Sequence, residues 1–220
     1  RRKVFSFRSL VPIIVGAALV LPVLGPAGST SASAAADKTY RIDVDGDGRK
    51  DKVGLYFEDS TILVKVITAK HKSSSLRTLP GEFNQHLYKA AKLDGVKGRE
   101  LIFITDEEYI TSYDVFTWRK GKLVRAKVPP LRNRNDSLAG WTPGDGEVSG
   151  FRFFSSKGKR YVDATYLWFN EEAAMEGEPG WEGATFRSVW ASGKWHLKKT
   201  IQRRQLTQAR AEAYSGFHGI

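Results

Sequence analysis

The chain has 220 residues, a formal net charge of +11 and no cysteine. The absence of cysteine excludes disulfides, a thiol nucleophile and a lipid-modified cysteine anchor. The basic balance predicts either a solubilising surface or attraction to anionic wall polymer, nucleic acid or lipid head groups. Because lysine and arginine are scattered along the chain, we expect no specific nucleic-acid recognition.

Residues 1–36 have the features of a secretory signal peptide. Four basic residues precede an apolar run over 10–24, which is too short for a spanning helix and is interrupted by Pro12 and Pro22. Two Ala-x-Ala triplets follow within 32–36, as in a cleaved leader. We therefore expect a secreted, extracellular protein with no membrane span after cleavage. An uncleaved anchor is the alternative, and both the general and the twin-arginine export routes are left open.

The most informative segment is 43–51, which reads Asp-Val-Asp-Gly-Asp-Gly-Arg-Lys-Asp. A hard cation such as Ca²⁺ takes about six to eight oxygen ligands, and alternate residues of a tightly curled loop supply them. Gly48 occupies the sixth position and allows the sharp turn. A surface turn that binds no metal is the alternative. The predicted ligands are four carboxylates and one backbone carbonyl, those of Asp43, Asp45, Asp47, Asp51 and Arg49 respectively.

A gapless shift of 49 residues aligns the chain with itself, placing Asp45 on Asp94 and Asp51 on Glu100. Self-similarity at such a period is typical of propellers, solenoids and other repeat architectures. We predict a β-repeat domain over 37–200, followed by a helix and tail over 201–220. Its three units of about 49 residues cover 39–87, 88–136 and 137–200, and the third carries an insertion at 170–183.

Short β-branched and aromatic runs, separated by turn residues such as Lys120-Gly121 and Ser192-Gly193, predict strands in every unit. A single helix is expected over 201–214, from its apolar residues at helical spacing. The predicted class is therefore all-β, with three antiparallel, blade-like units and a short C-terminal helix. The predicted strands are 52–57, 61–68, 101–105, 113–118, 122–127, 151–155, 161–169, 185–190 and 194–199.

The loop 43–51, followed by the strand 52–55, resembles the FG-GAP/VCBS repeats of integrin-alpha-like β-propellers. The resemblance implies a loop between two strands that binds Ca²⁺ through the five residues given above. The second unit retains only Asp94 and Glu100 at ligand positions, and the third has Trp141, Pro143 and Ser149 at three of them. We therefore expect the second and third loops to bind no metal.

The predicted number of units limits how the fold can close. A closed propeller has about four to eight blades, whereas this chain has three units. We expect the three sheets to pack as a small barrel or sandwich in a compact monomer. Completion of a ring by oligomerisation is the alternative.

Two further features are candidate contact surfaces. Trp141 and Trp181 lie among glycine, proline and threonine, where exposed rings could stack on a sugar or dock a partner; the alternative is that both rings cover a small β core. The acidic insertion is the other candidate, through Glu176 and Glu178, because long loops in repeat folds carry binding faces. The four histidines are dispersed and share no metal-ligand spacing.

The leading hypothesis is a secreted, non-catalytic, calcium-binding β module that binds an unidentified extracellular protein, glycan or anionic wall polymer. A calcium-dependent glycan hydrolase is the first alternative, because glycosidases use paired carboxylates and acidic residues cluster at 106–108 and 171–182. A basic module that binds anionic polymer without catalysis is the second alternative.

Overall fold

Thirteen β-strands and two short helices form the part of the chain that the computed structural model describes, residues 35–81, 85–106, 112–131, 141 and 148–220. The strands pair almost throughout as antiparallel neighbours, which confirms the predicted all-β class. Neither helix in these ranges has the length or the apolarity that a membrane crossing requires. Nearly all of the predicted signal peptide lies outside the described residues, as do Glu107 and Glu108.

The first two sheets are four-stranded meanders in which each strand pairs with the next one in sequence. Sheet 1 contains β1 (Lys38–Ile42), β2 (Asp51–Glu58), β3 (Thr61–Ile67) and β4 (Ser73–Arg77). Sheet 2 contains β5 (His86–Ala91), β6 (Glu100–Asp106), β7 (Ser112–Arg119) and β8 (Lys122–Arg125). Each strand of sheet 2 begins 48 to 51 residues after its counterpart, so the 49-residue shift places one meander on the other.

Sheet 3 has five strands in the order β12-β11-β10-β9-β13, and its last strand runs parallel to β9. Helix α1 (Glu171–Met175) lies between β10 and β11, and α2 (Gln208–Glu212) lies between β12 and β13. A shift of 98 residues places β2 on β9. However, β2 is the second strand of sheet 1 along the chain, whereas β9 is the first strand of sheet 3. A third repeat in the same register therefore stays a prediction. The strands are β9 (Val148–Ser156), β10 (Lys159–Phe169), β11 (Trp181–Ala191), β12 (Lys194–Leu206) and β13 (Gly216–His218).

Two-residue turns close several of the hairpins, as the sequence predicts. Lys120 and Gly121 have φ of 50° and 81°, and Ser192 and Gly193 have φ of 50° and 75°. Positive φ at both central residues is the requirement of a type I′ turn, whose twist matches that of the flanking strands. These turns therefore fix the register of β7 with β8 and of β11 with β12.

Sheet 2 is the middle layer of the fold. Its strand β6 buries both faces, because Leu101 and Phe103 pack into a cluster with sheet 1 while Ile102 and Ile104 pack into a cluster with sheet 3. The sequence of a strand that is buried on both faces is a nearly continuous run of apolar residues, and β6 has such a run. The outer faces of sheets 1 and 3 lie away from this middle layer.

The predicted C-terminal helix over 201–214 is wrong for its first half. Strand β12 continues to Leu206, and only Gln208–Glu212 is helical. Ile201 pairs with Thr185 and Gln202 with Ala184, so these backbone groups are held in the sheet ladder. Pairing with the distant strand β11 outweighs the local helical pattern, because propensity is a weak prior against tertiary context.

We predict that Phe103→Ala lowers the free energy of unfolding by about 3–5 kcal/mol, because Phe103 is fully buried between sheets 1 and 2 and contacts Phe116. Phe57→Ala is the matched control, since Phe57 is 43% exposed, and its cost should stay below about 1 kcal/mol. Urea unfolding of both variants measures the difference. Equal losses would show that sheet 2 is not the buried middle layer.

Candidate metal centre

The loop 43–50 connects the antiparallel strands β1 and β2, so its two ends lie side by side at the register pair Ile42 and Asp51. Asp43 organises the turn through both carboxylate oxygens. Its Oδ1 accepts a hydrogen bond of 2.8 Å from the Gly46 amide, and its Oδ2 accepts one of 3.1 Å from the Gly48 amide. Gly46 and Gly48 have φ of 75° and 85°, a region that glycine enters without strain.

Asp51 is fully buried and anchors the loop from below. Its Oδ2 accepts hydrogen bonds from the amides of Val44 at 2.7 Å and Asp45 at 3.3 Å. Its Oδ1 accepts one of 2.9 Å from the Ala69 amide, in the turn between β3 and β4. A buried carboxylate needs such partners, and here they join the loop to the next turn of the same sheet.

The loop brings three of the predicted ligands together. One carboxylate oxygen from each of Asp43, Asp45 and Asp51 lies within 4.8 Å of the other two. Oxygens that share one Ca²⁺ at about 2.3–2.6 Å can be up to about 5 Å apart, so this spacing suits a single ion. Partial burial, together with the charges of Asp51 and Asp47, raises the pKa of the Asp45 carboxyl. The cluster therefore concentrates negative charge that a cation would relieve.

Asp47 lies beside this group rather than in it. Its Oδ1 accepts a hydrogen bond of 2.9 Å from the Arg49 amide, which lowers its pKa. Its Oδ2 forms ion pairs with the Lys70 ammonium at 3.2 Å and with Arg49 Nε at 3.9 Å. Side-chain cations therefore already lie beside this carboxylate. The roles predicted for Asp47 and for the Arg49 carbonyl stay predictions.

The second loop, 92–99, packs directly on the first. The Arg99 amide donates a 3.0 Å hydrogen bond to the Asp43 carbonyl. A Cβ on Gly46 would overlap the backbone at Lys97 and Gly98, so only glycine allows this approach. The first loop is therefore part of the contact between sheets 1 and 2.

The second loop has the same skeleton but a different charge balance. Glu100 is buried, and its Oε2 accepts a 2.8 Å hydrogen bond from the Leu93 amide, as Asp51 does from Val44. The Arg119 guanidinium donates to Asp94 and lies 3.3 Å from Glu100 Oε1. Burial, and then the charge of Asp94, raises the pKa of the Glu100 carboxyl. A side-chain cation thus bridges the two carboxylates of this loop.

Trp141 and Trp181 are buried, which agrees with the alternative that they cover the core and contradicts their exposure as contact residues. Trp141 is 2% exposed, packs against Phe151, and donates from Nε1 to the Ala126 carbonyl at 3.2 Å. Trp181 is 6% exposed and donates from Nε1 to Gln208 at 2.6 Å. Both indoles are core residues whose partners lie far away in sequence, which loop composition does not reveal.

The acidic insertion connects β10 to β11 in sheet 3. Glu176 ends helix α1, and Glu178 accepts a 2.6 Å hydrogen bond from Gln205. The exposed indole in this region is that of Trp168, at 40%, which the sequence analysis missed because strand alternation does not say which residues extend beyond the core. Its Nε1 donates to Glu182 at 3.1 Å. The hydrolase alternative stays a prediction.

Comparison of the chain with protein-family models, with curated proteins and with solved structures finds no match in any of the three. The resemblance to FG-GAP/VCBS repeats therefore rests on the residues of the loop. What the structure adds is the position of the loop between two antiparallel strands and the convergence of Asp43, Asp45 and Asp51.

We predict that Asp51→Ala, measured in EGTA, lowers the free energy of unfolding by about 2 kcal/mol or more, because the amides of Val44 and Ala69 lose their acceptor. Asp45→Ala removes the same charge but only one short-range hydrogen bond, and should cost less than about 1 kcal/mol. Denaturant unfolding compares the two variants. Equal costs would contradict the anchoring role of Asp51.

Proposed function

We propose that this protein is a secreted, non-catalytic β module in which the loop 43–51 binds Ca²⁺ as a structural ion. The observation that carries the proposal is the convergence of Asp43, Asp45 and Asp51, whose oxygens lie within 4.8 Å of one another. In the counterpart loop, an arginine side chain balances the carboxylates. In the first loop, a bound cation would supply this balance.

The chemistry of the donors favours calcium over other metals. All predicted ligands are oxygens, which suit hard cations, whereas zinc sites use histidine nitrogen and cysteine sulfur. Irregular loops with several carboxylates suit the flexible shell of Ca²⁺ better than the strict octahedron of Mg²⁺. Weak extracellular calcium modules have dissociation constants of about 10⁻⁴–10⁻³ M, which agrees with the expected secretion of this chain.

The bound ion would act on the folded state as a whole. Asp51 ties the loop to the turn after β3, and Arg99 and Gly46 tie it to the second loop. Neutralising the carboxylates would remove repulsion at the contact between sheets 1 and 2. A dissociation constant of about 0.1 mM at about 1 mM Ca²⁺ gives roughly 1.4 kcal/mol of stabilisation.

We predict that 1 mM Ca²⁺, roughly the concentration used in the estimate above, raises the melting temperature by about 3–6 °C relative to EGTA, following the usual 2–4 °C per kcal/mol for a domain of this size. The double variant Asp43→Asn, Asp45→Asn should lose this shift. Asp59→Asn, in an exposed turn where φ is 40°, is the matched control and should keep it. An unchanged melting curve for the unmodified protein in Ca²⁺ and in EGTA would overturn the proposal.

A second candidate function, binding of an anionic polymer, is favoured by the outer face of sheet 3. One row of paired residues on this face crosses four strands and consists of Arg152, Asp163, Arg187 and Lys199. Asp163 holds Arg187 through two hydrogen bonds of 2.7 and 2.6 Å. Arg152 and Lys199 are exposed, and neither forms an ion pair with another residue in the described part of the chain.

The sequence around this row is unusually one-sided in charge. Residues 187–210 contain seven basic residues and no acidic one, and most of them lie on β12. Strand β12 thus adds a run of basic residues to the sheet that carries this row. A surface of this kind attracts polyanions through release of their counterions, without needing a shaped pocket.

We predict that the protein is retained on an immobilised phosphodiester polymer and that retention weakens steeply with salt. The double variant Arg152→Gln, Lys199→Gln should reduce the slope of log affinity against log salt by about 2, one for each lost cation. Lys52→Gln with Lys65→Gln on sheet 1 removes the same charge elsewhere and serves as the control. Equal slopes for the two double variants would contradict a dedicated basic face.

A further inference from the structure

Lys70 and Arg119 are counterparts in the first two sheets. The 49-residue shift that carries Asp45 onto Asp94 and Asp51 onto Glu100 also carries Lys70 onto Arg119. Arg119 is the last residue of β7, and Lys70 lies in the turn that follows β3, so both lie at or just beyond the end of the third strand of their meander. The two cations therefore have equivalent positions relative to the two loops.

In the second loop, the cation is fully engaged. Arg119 donates to Asp94 and also approaches Glu100, whose other oxygen holds the loop amide of Leu93. The guanidinium is planar, permanently charged and able to bridge two carboxylates at once. One side-chain cation thus serves both acidic groups, and the loop does not need a metal to balance them.

In the first loop, the corresponding cation, Lys70, pairs with a single carboxylate, that of Asp47. The Lys70 ammonium lies 3.2 Å from Asp47 Oδ2, and its side chain is 55% exposed. Asp47 is the one acidic residue of the loop outside the group formed by Asp43, Asp45 and Asp51. An ammonium is a compact charge on a flexible stem, so it can neutralise one carboxylate and leave it again at small cost.

We propose that Lys70 is a tethered counter-ion of the calcium loop, which pairs with Asp47 when the metal is absent and competes with the metal for that carboxylate. This inference rests on the proposed calcium site. Lys70 then lowers the affinity of the loop for the metal, and an arginine at this position would lower it further, because a guanidinium can bridge two carboxylates as Arg119 does in the second loop. The two loops thus differ in the cation supplied at this position, in addition to the two acidic ligand positions that the second loop fills with Lys92 and Val96.

The test is calorimetric titration of Ca²⁺ into the purified protein and its Lys70 variants. Lys70→Met should tighten binding about fivefold, the size of one interaction between unit charges at about 4 Å in water. Lys70→Arg should weaken binding at least tenfold. Lys72→Met removes the same charge two residues along the turn and should change binding by less than twofold.

Unfolding in EGTA gives a readout without metal. Lys70→Met should be less stable than Lys72→Met, and Lys70→Arg should be at least as stable as the unmodified protein.

The outcomes separate this inference from the proposed function. If the unmodified protein binds Ca²⁺ and Lys70→Met binds it no better than Lys72→Met does, the counter-ion role is overturned and the calcium site stands. If neither the unmodified protein nor Lys70→Met binds Ca²⁺, the calcium site itself is overturned, and this inference with it. If only Lys70→Met binds, competition by Lys70 is supported and the unmodified loop is self-balanced like the second one.

Discussion

The buried carboxylate of Asp51 is the interaction on which the first loop depends. One of its oxygens accepts hydrogen bonds from the amides of Val44 and Asp45, and the other accepts one from the amide of Ala69. These bonds hold the curled loop at the beginning of strand β2 in sheet 1. Glu100 begins β6 in the same way and holds Leu93. Desolvated charge without partners is costly, so each carboxylate dictates the path of the backbone around it.

The two loops share one backbone arrangement but differ in the acidic and basic side chains around it. Around Glu100, one further acid and one arginine make a closed arrangement of side chains. Around Asp51, three further acids lie on a loop whose nearest side-chain cation contacts only Asp47. The two loops also touch each other through Arg99 and Gly46. A change of charge in one loop therefore acts on the contact between two sheets.

The layered arrangement determines which surfaces of the protein can carry binding residues. Sheet 2 has both faces covered, and its residues are constrained by packing against sheets 1 and 3. Within the described residues, no such layer covers the basic row on the outer face of sheet 3. Arg152 and Lys199 are exposed, whereas Asp163 is buried and pairs with Arg187 of the neighbouring strand. Packing therefore leaves the loops and this outer face as surfaces where binding residues can lie.

The sequence by itself determined the features that depend on neighbours along the chain: strand alternation, the turns at Lys120-Gly121 and Ser192-Gly193, and the carboxylate spacing of the loop 43–51. Only the tertiary structure decided that 201–206 is a strand and that Trp141 is buried, because β11 and Phe151 supply the deciding contacts. Tertiary structure also placed Lys70 beside Asp47, 23 residues away in sequence. Neighbours along the chain determine which carboxylates share one loop, whereas long-range packing determines which side-chain cation lies beside them.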